Sequence, residues 1–204
     1  MKAACAVIVM AKAPVPGYAK TRLIPAIGAA RAAQLADKLL HHAVGVALQA
    51  QLGPVDLCCA PDAQHALLQA HRAQPGLVLS DQGDGDLGVR MSRAFDRWWL
   101  RADRVLMTGT DAPALDARVL QRAAQALHDV DAVFVPALDG GYALVGLRRA
   151  APSLFRDVAW STARVMSTTR AHLAAAGLRH AELETLADID EPADLVHLPT
   201  SWRV

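Results

Sequence analysis

The chain has 204 residues and a formal net charge of +1, from 21 lysines and arginines against 20 acidic residues. This balance argues against non-specific binding to nucleic acid or to a membrane surface, although it is compatible with a local phosphate site. Hydrophobic residues make up 53% of the chain, which excludes disordered and fibrous classes, and the length suits one α/β domain spanning 1–204.

The amino terminus begins with Lys2 and an apolar run over 3–11 that imitates a short signal peptide. Because the run is short and continues directly into a proline-rich loop, a buried first strand over 5–10 is the preferred interpretation. No run is long enough to cross a bilayer. The three cysteines fit neither a zinc site nor a disulfide framework, so a reducing cytoplasm is the expected location.

A basic loop follows this first strand. Residues 11–23 hold two prolines, one glycine and three cations, and no acidic residue occurs before Asp37. A lysine provides a mobile positive charge and an arginine a planar fork for two oxygens, so the loop is suited to a polyphosphate. A solvated basic loop is the alternative. The candidate phosphate-binding residues are Lys12, Ala13, Pro14, Gly17, Lys20 and Arg22.

Helices and strands then alternate. The pattern predicts a helix over 29–50, a strand over 55–60, a short helix over 61–73 and a strand over 77–79. His65 and His71 in the short helix are predicted to be surface residues, since no partner lies at metal-ligand spacing.

The glycine-rich loop over 80–88 precedes a helix that is predicted to end near residue 100. Its three carboxylates lack the glutamate of an EF-hand. One interpretation is a turn with Asp86 as the helix N-cap. The other is the rim of a ligand site, in which exposed backbone amides read a nucleobase, with Asp81, Gly83 and Gly85 as its candidate residues.

The central stretch is 105–113, where three apolar residues lead into Thr108 and a single carboxylate, Asp111, before Pro113 stops the strand. Ligands of open α/β sheets bind at the carboxyl ends of strands, which favours a functional Asp111. The alternative is that Asp111 caps the helix predicted over 115–128 or closes an Asx turn.

The last third contains a strand over 131–136, the turn Asp139-Gly140-Gly141, and a strand over 143–147. The turn is typical of a hairpin, but its two glycines also permit close backbone approach to a ligand. Hydroxyl residues over 159–162 are predicted to cap a helix ending near 176. Six acidic residues then crowd 182–194; one could cap a helix at Pro192, or join Asp111 as a hard-oxygen ligand of a magnesium–phosphate complex.

Six motifs taken in order, AKAPVPGYAKTRL, QGDGDLG, TGTDAP, DGGY, WST and DIDEPADL, resemble the bacterial DUF2064 group of GT-A-type glycosyltransferase-like proteins. Its members are labelled nucleotide-diphospho-sugar transferases, and a subset arsenosugar-biosynthesis glycosyltransferases. The resemblance spans nearly the whole chain. The same loops are similar to small nucleotidyltransferases that make molybdenum-cofactor dinucleotides or guanylylate phospholactate, most clearly at AKTRL and DIDEPADL.

The resemblance implies a three-layer α/β/α GT-A fold with a mixed, mostly parallel sheet and a nucleotide at the strand ends. It makes Asp111, Lys20 and Arg22 the catalytic residues, with Lys20 and Arg22 on phosphates, and it places Asp111 and Asp188 on Mg²⁺ or Mn²⁺. The sugar or acceptor side would comprise Asp139, Gly140, Gly141, Tyr142, Trp160, Ser161 and Thr162.

The leading hypothesis is therefore a glycosyltransferase with a nucleotide-diphospho-sugar donor, a divalent metal and an unidentified small-molecule acceptor. The alternative is a nucleotidyltransferase that moves a nucleoside monophosphate from a triphosphate to a phosphorylated acceptor. A third hypothesis is an inactive nucleotide-binding protein, because Thr-Asp-Ala-Pro stands where a D-x-D pair would place a second aspartate. Monomer and homodimer both remain open.

Overall fold

A computed structural model describes residues 2–202. Seven strands form one mixed sheet in the order β3-β2-β1-β4-β6-β5-β7. All neighbouring strands run parallel except β6, which is antiparallel to both β4 and β5. The strands are β1 (Ala6–Lys12), β2 (Val55–Ala60), β3 (Leu77–Asp81), β4 (Val105–Thr108), β5 (Ala132–Pro136), β6 (Tyr142–Leu147) and β7 (His180–Glu182).

Five α-helices accompany the sheet within the described residues: α1 (Ile24–Gln49), α2 (Ala66–Gln69), α3 (Leu87–Asp96), α4 (Ala117–Ala126) and α5 (Val165–Ala175). Shorter 3-10 turns cover Thr21–Leu23, Pro152–Phe155, Pro192–His197 and Thr200–Trp202. None of the helices between residues 2 and 202 combines the length and apolarity needed to cross a bilayer.

The apolar run of β1 is buried on both faces of the sheet. Successive strand side chains point to opposite faces, so Val7 and Val9 pack into one core cluster with α1 and α4, whereas Ala6 and Ile8 pack into another with α3 and α5. The helices thus form a layer on each side of the sheet. The predicted three-layer α/β/α class with a mixed, mostly parallel sheet is confirmed.

β1 is an inner strand of the parallel part of the sheet. β1 lies between β2 and β4, with Ile8 opposite Asp56 on one side and Met107 on the other. The chain therefore extends the sheet from β1 in two opposite directions: β2 and β3 lie on one side of β1, and β4 lies on the other. This reversal makes a crevice at the carboxyl ends of β1 and β4, the usual ligand position in open α/β sheets.

Three local predictions are wrong. The short helix predicted over 61–73 contains only four α-helical residues, and His71 is buried against His41 instead of lying on the surface. The hydroxyls over 159–162 do not cap α5, whose N-cap is Arg164 without a side-chain cap bond. Thr162 Oγ1 instead donates to the carbonyl of Ala159 at 2.7 Å, which closes a separate turn before the helix.

A buried carboxylate ties the β5–β7 side of the sheet together. The side chain of Asp131 is 6% exposed; it accepts hydrogen bonds from Arg148 Nε and from the backbone N–H of Arg179, both at 3.0 Å, and Arg149 lies 3.4 Å away. Burial acts to raise the pKa of Asp131, but these donors and charges outweigh it and hold the pKa below its ordinary value.

Asp131→Asn is expected to lower the free energy of unfolding at pH 7 by about 1–3 kcal/mol, because the amide cannot replace the charge facing two arginines. A carboxylate with a depressed folded-state pKa stabilises fully above its unfolded pKa and loses that contribution as the pH falls through the folded value. The difference between variant and wild type should therefore shrink below about pH 4. Urea unfolding of both proteins at neutral and acidic pH measures this difference in the free energy of unfolding. The exposed neighbour Asp129→Asn is the control, and an equal difference at both pH values would contradict the explanation.

Candidate functional site

A cleft of about 460 Å³ opens at the carboxyl ends of β1 and β4 and at the start of β6. Its lining brings together much of the predicted set: Lys12, Lys20, Arg22, Asp111, Asp139, Gly141, Tyr142, Trp160, Ser161, Thr162 and Asp188. These residues come from five separate stretches of the chain, and the strand order is what places them around one cavity.

Lys20 is the most constrained of these residues. Its backbone has φ 50° and ψ 43°, the left-handed conformation that non-glycine residues rarely adopt. Its side chain is 7% exposed, and the ammonium donates to Asp111, to Asp190 Oδ1 at 2.8 Å and to the carbonyl of Ile189 at 2.5 Å. Burial acts to lower the pKa of Lys20, but the two carboxylates outweigh it and raise the pKa.

An ammonium group has three hydrogens, and in this structure each of the three has a protein acceptor. Lys20 therefore connects the basic loop to the end of β4 and to the acidic segment over 188–190. Contact with a phosphate would require Lys20 to exchange one of these partners, so its predicted phosphate role stays a prediction.

Asp111 lies directly after β4 and is not the cap of α4. That cap is Asp116, whose carboxylate accepts from the backbone N–H of Val119 at 2.9 Å. The Asp111 side chain is 41% exposed toward the cleft, and its backbone carbonyl accepts from the N–H of Ile189 at 2.8 Å. This last bond brings the acidic segment against the strand end, so Asp111 and Asp188 face one cavity.

The acidic segment carries the raised pKa expected of crowded carboxylates. Burial, reinforced by the nearby charges of Asp139, Asp190 and Asp194, raises the pKa of Asp188 to about 6. A divalent cation would relieve this repulsion, and carboxylate oxygens are the ligands that Mg²⁺ and Mn²⁺ prefer. Within residues 2–202, however, no three His, Cys, Asp or Glu side chains are already arranged around one metal position. A cation would therefore also need oxygens from a bound phosphate or from water.

The other two cations of the basic loop are available to a ligand. Lys12 Nζ lies 4.8 Å from the ring centroid of Tyr18. Arg22 is more than half exposed, and its nearest carboxylate is Glu191, 4.0 Å away. Neither contact satisfies all the donors of its cation. Lys12 and Arg22 are therefore the cations at this end of the cleft that can bind an anion without breaking a buried ion pair.

Several predicted residues lie outside the lining of the cleft: Ala13, Pro14, Gly17, Asp81, Gly83, Gly85 and Gly140. Asp81 accepts instead from the backbone N–H of Ala63 at 2.6 Å, and Asp86 caps α3 through the N–H of Val89. The loop enters the cleft through Gln82, whose amide donates to the carbonyls of Ala11 and Cys58, each at 3.0 Å.

The hairpin interpretation of the Asp-Gly-Gly turn is confirmed, since β5 and β6 are antiparallel neighbours. Gly140 has φ 89°, and a Cβ there would meet the carbonyl of Ala163 at 2.3 Å. The turn therefore packs directly against the segment that precedes α5. Gly88 is comparable, because a Cβ would meet the carbonyl of Phe155 at 2.1 Å and Trp160 Nε1 at 3.0 Å. Gly88 and Gly140 thus leave the space that lets the segment around Trp160 pack closely at the cleft.

Tyr142 and Trp160 form an edge-to-face pair, with ring centroids 6.5 Å apart. The Tyr142 hydroxyl is buried without a hydrogen-bond partner, and burial raises the pKa of its phenol. Ser161, beside Trp160, has φ 61°. Unsatisfied polar groups and left-handed non-glycine residues are costly and concentrate at functional sites.

The lining residues that the predicted set lacks include Tyr18, Gln82 and Asp190. Asp190 is one of six acidic residues over 182–194, and the sequence does not distinguish it from the other five. Its bond to Lys20 in the structure does so. Gln82 lies within the glycine-rich loop over 80–88, where the carboxylates and glycines form a more conspicuous pattern than a single glutamine. In the sequence, Tyr18 lies between Lys12 and Lys20 of the basic loop, so a cation–π contact between Lys12 and the Tyr18 ring could have been predicted.

Tyr142→Phe is expected to raise the free energy of unfolding by about 1 kcal/mol, because it removes a buried hydroxyl that has no partner. Phe keeps the ring contact with Trp160. Thermal and urea unfolding measure the change. The matched control is Tyr18→Phe on the exposed ring at the other end of the cleft, which should change stability by less than about 0.5 kcal/mol. A loss of stability in Tyr142→Phe would show that the hydroxyl is satisfied.

A family model described as an uncharacterised protein conserved in bacteria (DUF2064) matches residues 43–162. Among solved structures, the chain is 28% identical to a Desulfovibrio desulfuricans G20 protein that carries an inferred assignment as a nucleotide-diphospho-sugar transferase. The alignment has a TM-score of 0.88 and covers 98% of this chain and 88% of that one. The chain matches no functionally curated protein.

Two more distant structures share the fold. CMP-2-keto-3-deoxy-manno-octonic acid synthetase in complex with CTP is 14% identical, with a TM-score of 0.61 over 95% of this chain and 96% of that one. Mycobacterium tuberculosis H37Rv Rv0371c in complex with manganese is 17% identical, with a TM-score of 0.60 over 97% and 98%. The chain belongs to the DUF2064 family, and its fold is that of nucleotide-diphospho-sugar transferases and nucleotidyltransferases.

Proposed function

We propose that the protein is a transferase that binds the diphosphate of a nucleotide-diphospho-sugar in the cleft and transfers the sugar to a small-molecule acceptor. The observation that carries the proposal is the meeting of two accessible cations, Lys12 and Arg22, with the carboxylates of Asp111 and Asp188 at the carboxyl ends of β1 and β4. The 28%-identical relative carries an inferred assignment of the same kind, which supports the donor class.

The donor diphosphate would lie between Lys12 and Arg22, whose charges stabilise the developing negative charge. The acceptor hydroxyl oxygen forms a bond to the anomeric carbon while the bond from that carbon to the β-phosphate oxygen breaks. The electron pair leaves with the nucleoside diphosphate, and the hydroxyl proton passes to a carboxylate or to water. Asp139 lines the cleft near Tyr142 and is the candidate acceptor for that proton.

The carboxylate set of Asp111 and Asp188 fits a hard divalent cation, because burial and neighbouring acids disfavour the charge on Asp188. Mg²⁺ or Mn²⁺ bound there would neutralise charge on the leaving diphosphate. Rv0371c, which shares the fold, has been solved in complex with manganese. Lys20 would hold Asp111 and the 188–190 segment in place while this site fills.

Nucleotidyl transfer is the second candidate, favoured by the CTP complex of a protein with the same fold. The two reactions leave different products, since sugar transfer releases a nucleoside diphosphate and nucleotidyl transfer releases pyrophosphate. We would incubate the protein with nucleotide sugars and nucleoside triphosphates, Mg²⁺ or Mn²⁺ and a mixture of acceptors, and measure both products. Nucleoside diphosphate release supports the proposal, pyrophosphate release supports the second candidate, and binding without either product indicates an inactive protein.

Asp111→Asn is expected to weaken metal-dependent nucleotide binding by about 1.5–3 kcal/mol, the range for a lost hydrogen bond to a charged group. The fold should persist, because the side chain is 41% exposed at a strand end. Calorimetric titration with a nucleoside diphosphate, with and without Mn²⁺, measures the change. Asp116→Asn is the matched control, since Asn caps a helix about as well as Asp. Equal metal-dependent affinity in wild type and Asp111→Asn would remove Asp111 from the metal site.

A further inference from the structure

We infer that the acceptor is an uncharged hydroxyl compound with a flat or apolar body, and not a phosphorylated molecule. This inference rests on the proposed function and names the second substrate of the same cleft. It depends on how charge is distributed along the lining, which has a charged end and an apolar end. The apolar end is formed by Met107, Tyr142, Val145, Trp160 and Val165.

The cations of the lining lie only at the charged end. Among the described residues that line the cleft, the positive side chains are Lys12, Lys20 and Arg22, all from the basic loop, against four carboxylates. The positive charge of Lys20 is already neutralised by Asp111 and Asp190. A donor diphosphate would engage the other two cations. No cationic side chain of this lining then remains for a phosphate on the acceptor.

The carboxylates strengthen this argument. Asp139 lies in the turn before β6, three residues before Tyr142, and lines the cleft together with Asp188. An acceptor phosphate between the apolar end and the donor would therefore approach Asp139, which is not among the proposed metal ligands, and like charges at close range are destabilising. A hydroxyl group would instead donate a hydrogen bond to such a carboxylate. The same side chains thus disfavour an anionic acceptor and favour a neutral one.

The apolar end also has the shape features of a binding site for an apolar body. Trp160 is half-buried and is fixed by Gly88 on one side and by the edge-to-face contact with Tyr142 on the other. A rigid indole beside an apolar floor binds a flat ring or the apolar face of a sugar with little loss of side-chain entropy.

The test compares a neutral aryl glycoside with a sugar phosphate in the presence of excess nucleoside diphosphate, which would occupy Lys12 and Arg22 at the charged end of the cleft. Phenyl β-D-glucopyranoside and glucose 1-phosphate are titrated by calorimetry into wild type, Trp160→Ala and Trp202→Ala. Trp202 is the matched control because it lies outside this cleft, edge-on to His42. We expect the phenyl glucoside to bind at least tenfold more tightly than the phosphate. We also expect Trp160→Ala, but not Trp202→Ala, to weaken it at least tenfold.

Preferential binding of glucose 1-phosphate, equal binding of the two probes, or no saturable binding of the phenyl glucoside would overturn the inference. So would an unchanged affinity in Trp160→Ala. Circular dichroism of each variant verifies folding, and Trp160→Phe, which keeps an aromatic face, should recover most of the affinity. Nucleoside diphosphate binding is measured on the same samples. If it is absent while the aryl glycoside binds through Trp160, the proposed donor fails, and the apolar end is still a binding site for a neutral ring.

Discussion

The buried ammonium of Lys20 is the interaction on which the candidate site depends. It joins three parts of the chain that are far apart in sequence: the basic loop, the end of β4 at Asp111, and the segment around Asp190. Removing one partner of a fully buried pair costs about 3–5 kcal/mol. The two aspartates here are about 40% exposed, so the smaller end of that range or less applies. The main consequence is geometric, because without the ammonium two carboxylates would repel each other at the entrance to the cleft.

This arrangement explains why the cleft is asymmetric. The basic loop supplies every cation of the lining, and one of them, Lys20, is already paired with two carboxylates. The hairpin at the start of β6 supplies Asp139 and Tyr142. A polyphosphate and a divalent cation suit the first end, whereas a neutral ring suits the second. The antiparallel insertion of β6 next to β4 is what brings the two ends together. In a fully parallel order the Tyr142 end of β6 would lie at the opposite edge of the sheet.

The sequence alone identifies the two central strands and the charged loops that follow them. Continuous apolar runs identify β1 and β4, and a charged loop follows each run. These two loops carry Lys20 and Asp111, which meet in one cleft. The Lys20–Asp190 pair could not be predicted in the same way. Six acids compete in the tail, and the choice among them is made by a backbone bond from Ile189 to Asp111, which has no sequence pattern. The unpartnered Tyr142 hydroxyl likewise depends on packing alone.

The difference between local sequence pattern and tertiary packing also explains which glycines shape the cleft. Gly83 and Gly85 are conspicuous in the sequence because they alternate with carboxylates, yet they lie outside the lining. Gly88 attracts no attention as the last residue of that loop, but the carbonyl of Phe155 and the indole of Trp160 occupy the space where its Cβ would stand. Its role follows from contact between segments about 70 residues apart, which local patterns cannot encode. Loop composition therefore locates the charged end of the cleft, whereas its apolar end is determined by tertiary packing of Gly88, Gly140 and Trp160.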